Sequence, residues 1–195
     1  APSAPSPTGT AAEAWAALIL ALPVLAVVAG AGWASRLQQS SNLHEVLEGK
    51  VYRSAEPSAA QLVEWTTAYG FRSVLNLRGS SDADWYRAEQ KTAARLTLTH
   101  ADFAMRDSEI LTLDRAAALM ALMEALPKPV LIHCKAGADR TGLASALFLA
   151  GAGQGEALAE AQISFRYGHV SLPVSPAWPM DQSWEAMEAS FGFDS

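Results

Sequence analysis

The chain contains a single cysteine, few charges and no excess of basic residues: among 195 residues 17% are charged, and the formal net charge is −6. One cysteine cannot close an intramolecular disulfide, so cysteine usage leaves the redox compartment open. An acidic balance argues against a non-specific nucleic-acid binder, which presents a basic face. No internal repeat is apparent, which sets aside solenoids and propellers. No Lys or Arg precedes residue 36, although a long uncharged stretch begins near residue 14.

That stretch, AWAALILALPVLAVVAGAGWA, runs for 21 residues from Ala14 to Ala34 with a tryptophan near each end. At helical rise it spans ~30 Å, the hydrocarbon thickness of a bilayer. Trp15 and Trp33 suit the two interfaces, and Pro23 is tolerated in a membrane helix. The expected organisation is a disordered tail over 1–13, a transmembrane helix over 14–34, a polar linker over 35–48 and a globular domain over 49–195. Ala29-Gly30-Ala31 also reads as the cleavage site of a secretory signal, although no basic region precedes it. A retained single-pass anchor is the preferred reading. Arg36, Lys50 and Arg53 follow the segment, so the positive-inside rule leans toward a cytoplasmic domain.

Beyond the linker, strands alternate with helices. KVYRS (50–54) reads as a strand, and Pro57 opens a helix over SAAQLVEWTTAY that Gly70 ends. SVLNL (73–77) is a buried strand, a helix is expected over roughly 83–95, and a strand within LTLTHADFAM. Thr112 caps LDRAAALMALMEAL, PVLIH is a fully apolar strand, and GLASALFLAGA a helix. The predicted fold is α/β: a central, mostly parallel sheet flanked by helices, with chemistry in the loops at the strand C-terminal ends.

The lone cysteine falls at such an end, in VLIHCKAGADRTGL (130–143). Unpaired N–H groups at the start of a helix favour an anion, and the same groups would stabilise a thiolate on Cys134. Gly137 lets the backbone curl so that successive amides converge, with Lys135, Ala136, Ala138 and Asp139 completing the loop. Arg140 offers a planar fork for two phosphate oxygens. Thr141 brings a hydroxyl near the sulfur or a reacting water. The arrangement suits a phosphate dianion held against a nucleophilic sulfur.

His133-Cys134-x-x-Gly137-x-x-Arg140-Thr141-Gly142 resembles the signature loop of the cysteine-dependent protein tyrosine phosphatases, especially the compact dual-specificity group. The likeness extends through LHEVLEGKVYRSAEPS, SVLNLRG, SFRYGHV and PMDQSW to a bacterial branch, some of whose members carry an N-terminal membrane segment. The resemblance implies a dual-specificity-like fold and a phosphocysteine mechanism: Cys134 attacks phosphorus, Arg140 and the loop amides stabilise the equatorial oxygens, and a general acid protonates the leaving oxygen. Neither a metal nor another cofactor is called for. His133 is expected to pack under the loop and hydrogen-bond to it. The general acid lies upstream: Asp107 is 27 residues before Cys134, beyond the apolar strand, and Asp102 is 32 before, within it. Strand-end placement favours Asp107, with Asp102 as the alternate and Glu109 behind both.

Asp139 either pins Arg140, positions water or forms a structural ion pair. Arg53 and Arg78 are expected in fold-stabilising ion pairs or at the site's rim. Arg166 and His169 line the pocket or pack, and Asp181 caps a helix over SWEAMEASF. The expected partners are a phosphoprotein or phospholipid substrate and, through residues 14–34, a membrane, in a bacterial inner-membrane setting; nucleic acid is not among them.

Overall fold

The structure, a computed structural model, describes residues 11–193; most of the expected tail, residues 1–10, lies outside them. The chain divides into two compact units, Ala1–Gln38 and Gln39–Ser195.

Among the described residues of the first unit, one helix, α1 (Ala11–Gln39), runs through Pro23. Its segment Ile19–Leu37 is long and apolar enough to cross a membrane, and none of it is buried. A signal sequence near an N-terminus has the same length and character. The helix continues five residues past the expected end at Ala34, since nothing in Ser35–Gln39 breaks it.

The second unit is built on a five-stranded sheet of order β1-β2-β5-β3-β4. Its strands are β1 (His44–Leu47), β2 (Val51–Ser54), β3 (Ser73–Asn76), β4 (Thr99–Asp102) and β5 (Val130–His133). β1 is antiparallel to β2, and the remaining pairings are all parallel. The helices are α2 (Ala59–Tyr69), α3 (Asp84–Arg95), α4 (Leu113–Ala125), α5 (Asp139–Gly151), α6 (Glu156–Glu160) and α7 (Trp178–Glu188). The mostly parallel sheet flanked by helices is the architecture that the alternation of elements predicts.

Alternating side chains feed two cores. Val51, Leu75, Val130 and Ile132 join Leu119, Met123, Leu143, Leu147 and Trp184 of α4, α5 and α7. Tyr52, Val74 and Leu131 meet Leu62, Trp65 and Ala93 of α2 and α3. With both faces covered, β5 is buried along its whole length, which is why VLIH is an unbroken apolar run. Ser58 caps α2 in a capping box and Gly70 ends it in the left-handed region, while the Thr112 side chain caps α4.

In this second unit three elements differ from expectation. β1 occupies part of the stretch read as a polar linker; it is an edge strand, paired on one side and only half-buried, so its residues do not alternate cleanly. α5 begins at Asp139 rather than Gly142, because its first turn doubles as the end of the cysteine loop. α7 begins at Trp178, so Asp181 lies inside its first turn instead of capping it.

Candidate active site

β5 is the middle strand, and its C-terminal end delivers Cys134 into the loop before α5. Cys134 is buried. The loop folds back on the end of β2 so closely that a Cβ on Gly137, where φ is +71°, would sit 2.5 Å from the Ala55 nitrogen. Its carbonyls are turned outward and tied down. Lys135 O accepts from Glu56 N at 3.3 Å, Ala136 O from Asn42 Nδ2 at 3.1 Å and Gly137 O from an Arg53 guanidinium nitrogen at 2.8 Å. That nitrogen also reaches Ala138 O at 3.3 Å. With the carbonyls committed outward, the N–H groups of residues 135–140 meet no acceptor among the described residues. An unpaired run of amides at a helix start is an anion-binding cradle.

Arg53 holds this shape. It is fully buried, and its other terminal nitrogen donates to Gln162 O at 2.8 Å and Gln162 Oε1 at 2.9 Å. The guanidinium lies 3.8 Å over the Tyr167 ring. Burial pulls its pKa down to about 10, against the pull of Tyr167, Cys134 and Asp139, and it stays charged at neutral pH. Each loop carbonyl left without its donor would cost roughly 1–3 kcal/mol. Arg53 is therefore neither an ion-pair partner nor a rim residue, but a brace beneath the loop. Arg78 does form the expected ion pair, with Glu56, and lies 3.8 Å over the Trp85 ring.

Arg140 rises from the first turn of α5. Its contacts are long: 3.3 Å from one terminal nitrogen to Asp107 Oδ2 and 3.4 Å from the other to Met105 O. Its Nε is buried without a partner among the described residues, and so is the Thr141 hydroxyl. These are groups prepared to bond something brought into the cradle.

The two candidate acids are placed differently. Asp102 ends β4, where parallel register sets it opposite Asn76. Its Oδ1 accepts from Asn76 Nδ2 at 2.8 Å and its Oδ2 from the Tyr86 hydroxyl. Burial and this carboxylate push the Tyr86 pKa up to about 12. Asp107 lies in the turn beyond the strand, half-exposed and facing Arg140. Glu109, in the same turn, pairs with Arg106 at 3.1 Å on the surface.

Beneath the loop lies a buried group that sequence reading missed. Glu89 of α3 stands between two imidazoles: Oε1 is 2.8 Å from His100 Nε2 and Oε2 is 3.0 Å from His133 Nε2. Burial alone raises a carboxyl pKa, but the two imidazoles outweigh it and hold Glu89 at about 2. Stability from the ionised Glu89 carboxylate is present above the ordinary carboxylate range and is lost as pH falls toward 2. The signal was available, since Glu89 is the one charged residue on the buried face of α3 with Tyr86, Thr92 and Ala93. His133 is fully buried under the loop, but its Nδ1 is 3.5 Å from Cys134 O, the outer limit of a hydrogen bond.

On the far side of the loop, His169 is buried rather than lining the pocket, and it bridges Asp139 and Asp181 at 2.8 Å each. Of the readings open for Asp139, the structure shows an ion pair, made with His169. Arg166 is exposed, 5.4 Å over the Tyr167 ring.

Dual specificity protein phosphatase TpbA of Pseudomonas aeruginosa (strain UCBPP-PA14) is 32% identical over 118 residues, covering 60% of this chain and 50% of that protein. The chain thus spans about half the length of the curated relatives it matches. The crystal structure of P. aeruginosa TpbA superposes with a TM-score of 0.58 at 19% identity, over 79% of this chain and 92% of that one. Its cysteine-to-serine form, solved in complex with pTyr, gives 0.55 at 21%, over 76% and 91%. PTPMT1 in complex with PI(5)P gives 0.52 at 17%, over 76% and 97%. At these identities the superpositions establish a shared fold. The sequence profile described as the tyrosine phosphatase family matches residues 36–161, from the end of α1 through the cysteine loop to α6. This match covers most of the chain and all five strands, and the chain belongs to the tyrosine phosphatase family.

Proposed function

We propose that the unit beginning at Gln39 hydrolyses phosphomonoesters through a phosphocysteine on Cys134, with protein phosphotyrosine as the main substrate and dual specificity within reach. The observation that carries this reading is the run of amides at residues 135–140, next to Cys134 in the chain, that meet no acceptor among the described residues, together with an Arg140 whose Nε has no partner among them. Such a cradle binds three non-bridging oxygens of a phosphate. As bond order shifts in the transition state, fixed dipoles already point at the developing charge and need no reorganisation.

In the first step the Cys134 thiolate attacks phosphorus opposite the leaving oxygen. The S–P bond forms, the P–O ester bond breaks, and Asp107 gives its proton to the departing alcohol or phenol. In the second step water attacks phosphorus, Asp107 takes its proton, and the S–P bond breaks to return the thiolate and inorganic phosphate. Arg140 leaves its long contacts with Asp107 and Met105 for two phosphate oxygens, freeing the aspartate for proton transfer. Thr141 offers its hydroxyl to the sulfur as it becomes the leaving group. Asp102 serves the sheet through Asn76 and Tyr86.

The complex of a TpbA form with pTyr supports a phosphotyrosine substrate. A phospholipid or another phosphorylated envelope metabolite is the second reading. It is favoured by the Ile19–Leu37 segment, apolar enough to cross a membrane, and by the PI(5)P complex of PTPMT1. In both readings residues 14–34 tether the catalytic unit to the membrane.

The test is turnover by the full chain of a phosphotyrosine peptide, a phosphoserine peptide and vesicles containing PI(5)P, with Asp107→Asn and Asp102→Asn alongside. The expected result is a higher kcat/KM on the tyrosine peptide and a kcat for Asp107→Asn lowered ~10²- to 10⁴-fold, with Asp102→Asn much less affected. Preference for the vesicles would replace the protein substrate with the lipid. A larger loss in Asp102→Asn would exchange the two aspartates.

A further inference from the structure

His169 is fully buried, yet both ring nitrogens lie 2.8 Å from carboxylate oxygens: Nδ1 from Asp139 Oδ1 and Nε2 from Asp181 Oδ2. Both carboxylates are largely shielded, with side-chain exposures of 24% for Asp139 and 11% for Asp181. Two ionised carboxylates accept and do not donate, so the ring satisfies both only with a proton on each nitrogen. The geometry describes an imidazolium held between two anions, one on α5 and one on α7.

The position of Asp139 gives this ion pair a consequence. It is the residue before Arg140, on the first turn of the helix that ends the phosphate cradle. A released carboxylate there would add a second competitor, beside Asp107, against a phosphate dianion for the Arg140 guanidinium. Instead Asp139 turns to His169, and among the described residues Arg140 has its ion pair with Asp107 alone. Asp181 anchors the other side of the ring, so the histidine cannot follow Asp139 toward the loop.

We infer that His169 is a positioning residue of the phosphate site: anchored by Asp181, it holds the Asp139 carboxylate away from Arg140 and keeps the cradle open to an oxyanion. The inference rests on the phosphatase reading above. It also ties the site to pH through the ring's charge. The charged groups facing the ring are Asp139 from α5 and Asp181 from α7, while Arg166, on the turn before it, is exposed. Burial alone lowers the ring's pKa, but the hydrogen bonds and charges of the two aspartates outweigh burial and raise it above 6.5. The clamp is therefore complete below the ordinary histidine range and is released as pH rises through the raised value.

The test measures inorganic phosphate affinity and p-nitrophenyl phosphate kinetics for the full chain, His169→Gln, Asp139→Asn and the double variant. His169→Gln is expected to weaken phosphate binding and raise KM by roughly tenfold, the scale of one charge-assisted hydrogen bond, with a smaller change in kcat. Adding Asp139→Asn should restore most of the lost affinity, because the competing carboxylate is gone. A residue that merely holds the fold would show no such rescue. The drop in wild-type affinity as the ring deprotonates should also vanish in Asp139→Asn.

Nitrogen NMR of the wild-type ring gives a second readout that needs no variant to fold: His169 should carry protons on both nitrogens at a pH equal to the ordinary histidine value. A neutral ring at that pH overturns the inference, as does a double variant no better than His169→Gln. If the wild type shows the doubly protonated ring but binds no phosphate, the phosphatase reading itself fails and the inference falls with it.

Discussion

Cys134→Ser lowers turnover on the order of 10⁴- to 10⁶-fold, the scale seen when a covalent nucleophile is removed, while leaving phosphate affinity close to that of the wild type. The two halves of this expectation come from different parts of the site. Turnover needs a sulfur nucleophile that attacks phosphorus; a serine hydroxyl in the same place is a far weaker nucleophile. Binding needs the amides of residues 135–140 and the Arg140 fork, and neither depends on the atom at the cradle's base. Oxygen for sulfur is a small change at a buried position, so the loop keeps its outward carbonyl bonds to Asn42, Arg53 and Glu56. Calorimetric titration with inorganic phosphate, beside p-nitrophenyl phosphate kinetics, separates the two. Residual activity within tenfold of wild type would mean that another group attacks phosphorus. Loss of binding together with turnover would mean that the sulfur shapes the cradle.

Gly137→Ala is expected to cost activity and stability together. The left-handed backbone at φ +71° alone penalises a side chain by about 1–2 kcal/mol. The added methyl would also stand 2.5 Å from Ala55 N and 2.6 Å from Ser54 C, and these are backbone atoms at the end of β2 with no freedom to swing aside. The loop must retreat, and Gly137 O then pulls away from Arg53, which is braced from behind by Gln162. A displacement near 1 Å at this point misaims the amides and lowers kcat/KM at least ~10²-fold. The melting temperature should fall by roughly 3–8 °C. Kinetics and a thermal melt on the same preparation check both. A variant with wild-type activity would show that the contact between the loop and β2 is not needed to shape the cradle.

The sequence made some of this plain because the relevant signals are local. VLIH, flanked by prolines and a glycine-rich loop, reads as a central strand because both its faces are covered. The cysteine, glycine and arginine of the signature are spaced by the loop that they form. Asp107 and Asp102 differ by only five residues, and spacing alone separates them poorly. What distinguishes them is sheet register, which sets Asp102 opposite Asn76 and within reach of Tyr86 while the chain carries Asp107 on to Arg140.

The groups that support the loop were hidden for the opposite reason. Asn42 and Arg53 reach loop carbonyls 94 and 84 residues away, and Asn42 bonds Tyr167 O across 125 residues. No periodicity in the chain announces such pairings. Arg53 is the clearest case: in VYRS, between Tyr52 and Ser54, an arginine suggests an ion pair or a place at the site's rim. Parallel pairing with β5 instead points it under the loop that β5 feeds. β1 escaped because an edge strand with one partner and half-buried residues resembles a linker.

The most direct test of the proposed chemistry is rapid acid quenching of the full chain during turnover of a phosphotyrosine peptide, followed by mass spectrometry of its peptides. A phosphate adduct should appear on the peptide carrying Cys134 and nowhere else, formed and discharged at rates consistent with kcat. Turnover with no adduct on Cys134, or with phosphate on a different residue, would contradict the phosphocysteine mechanism.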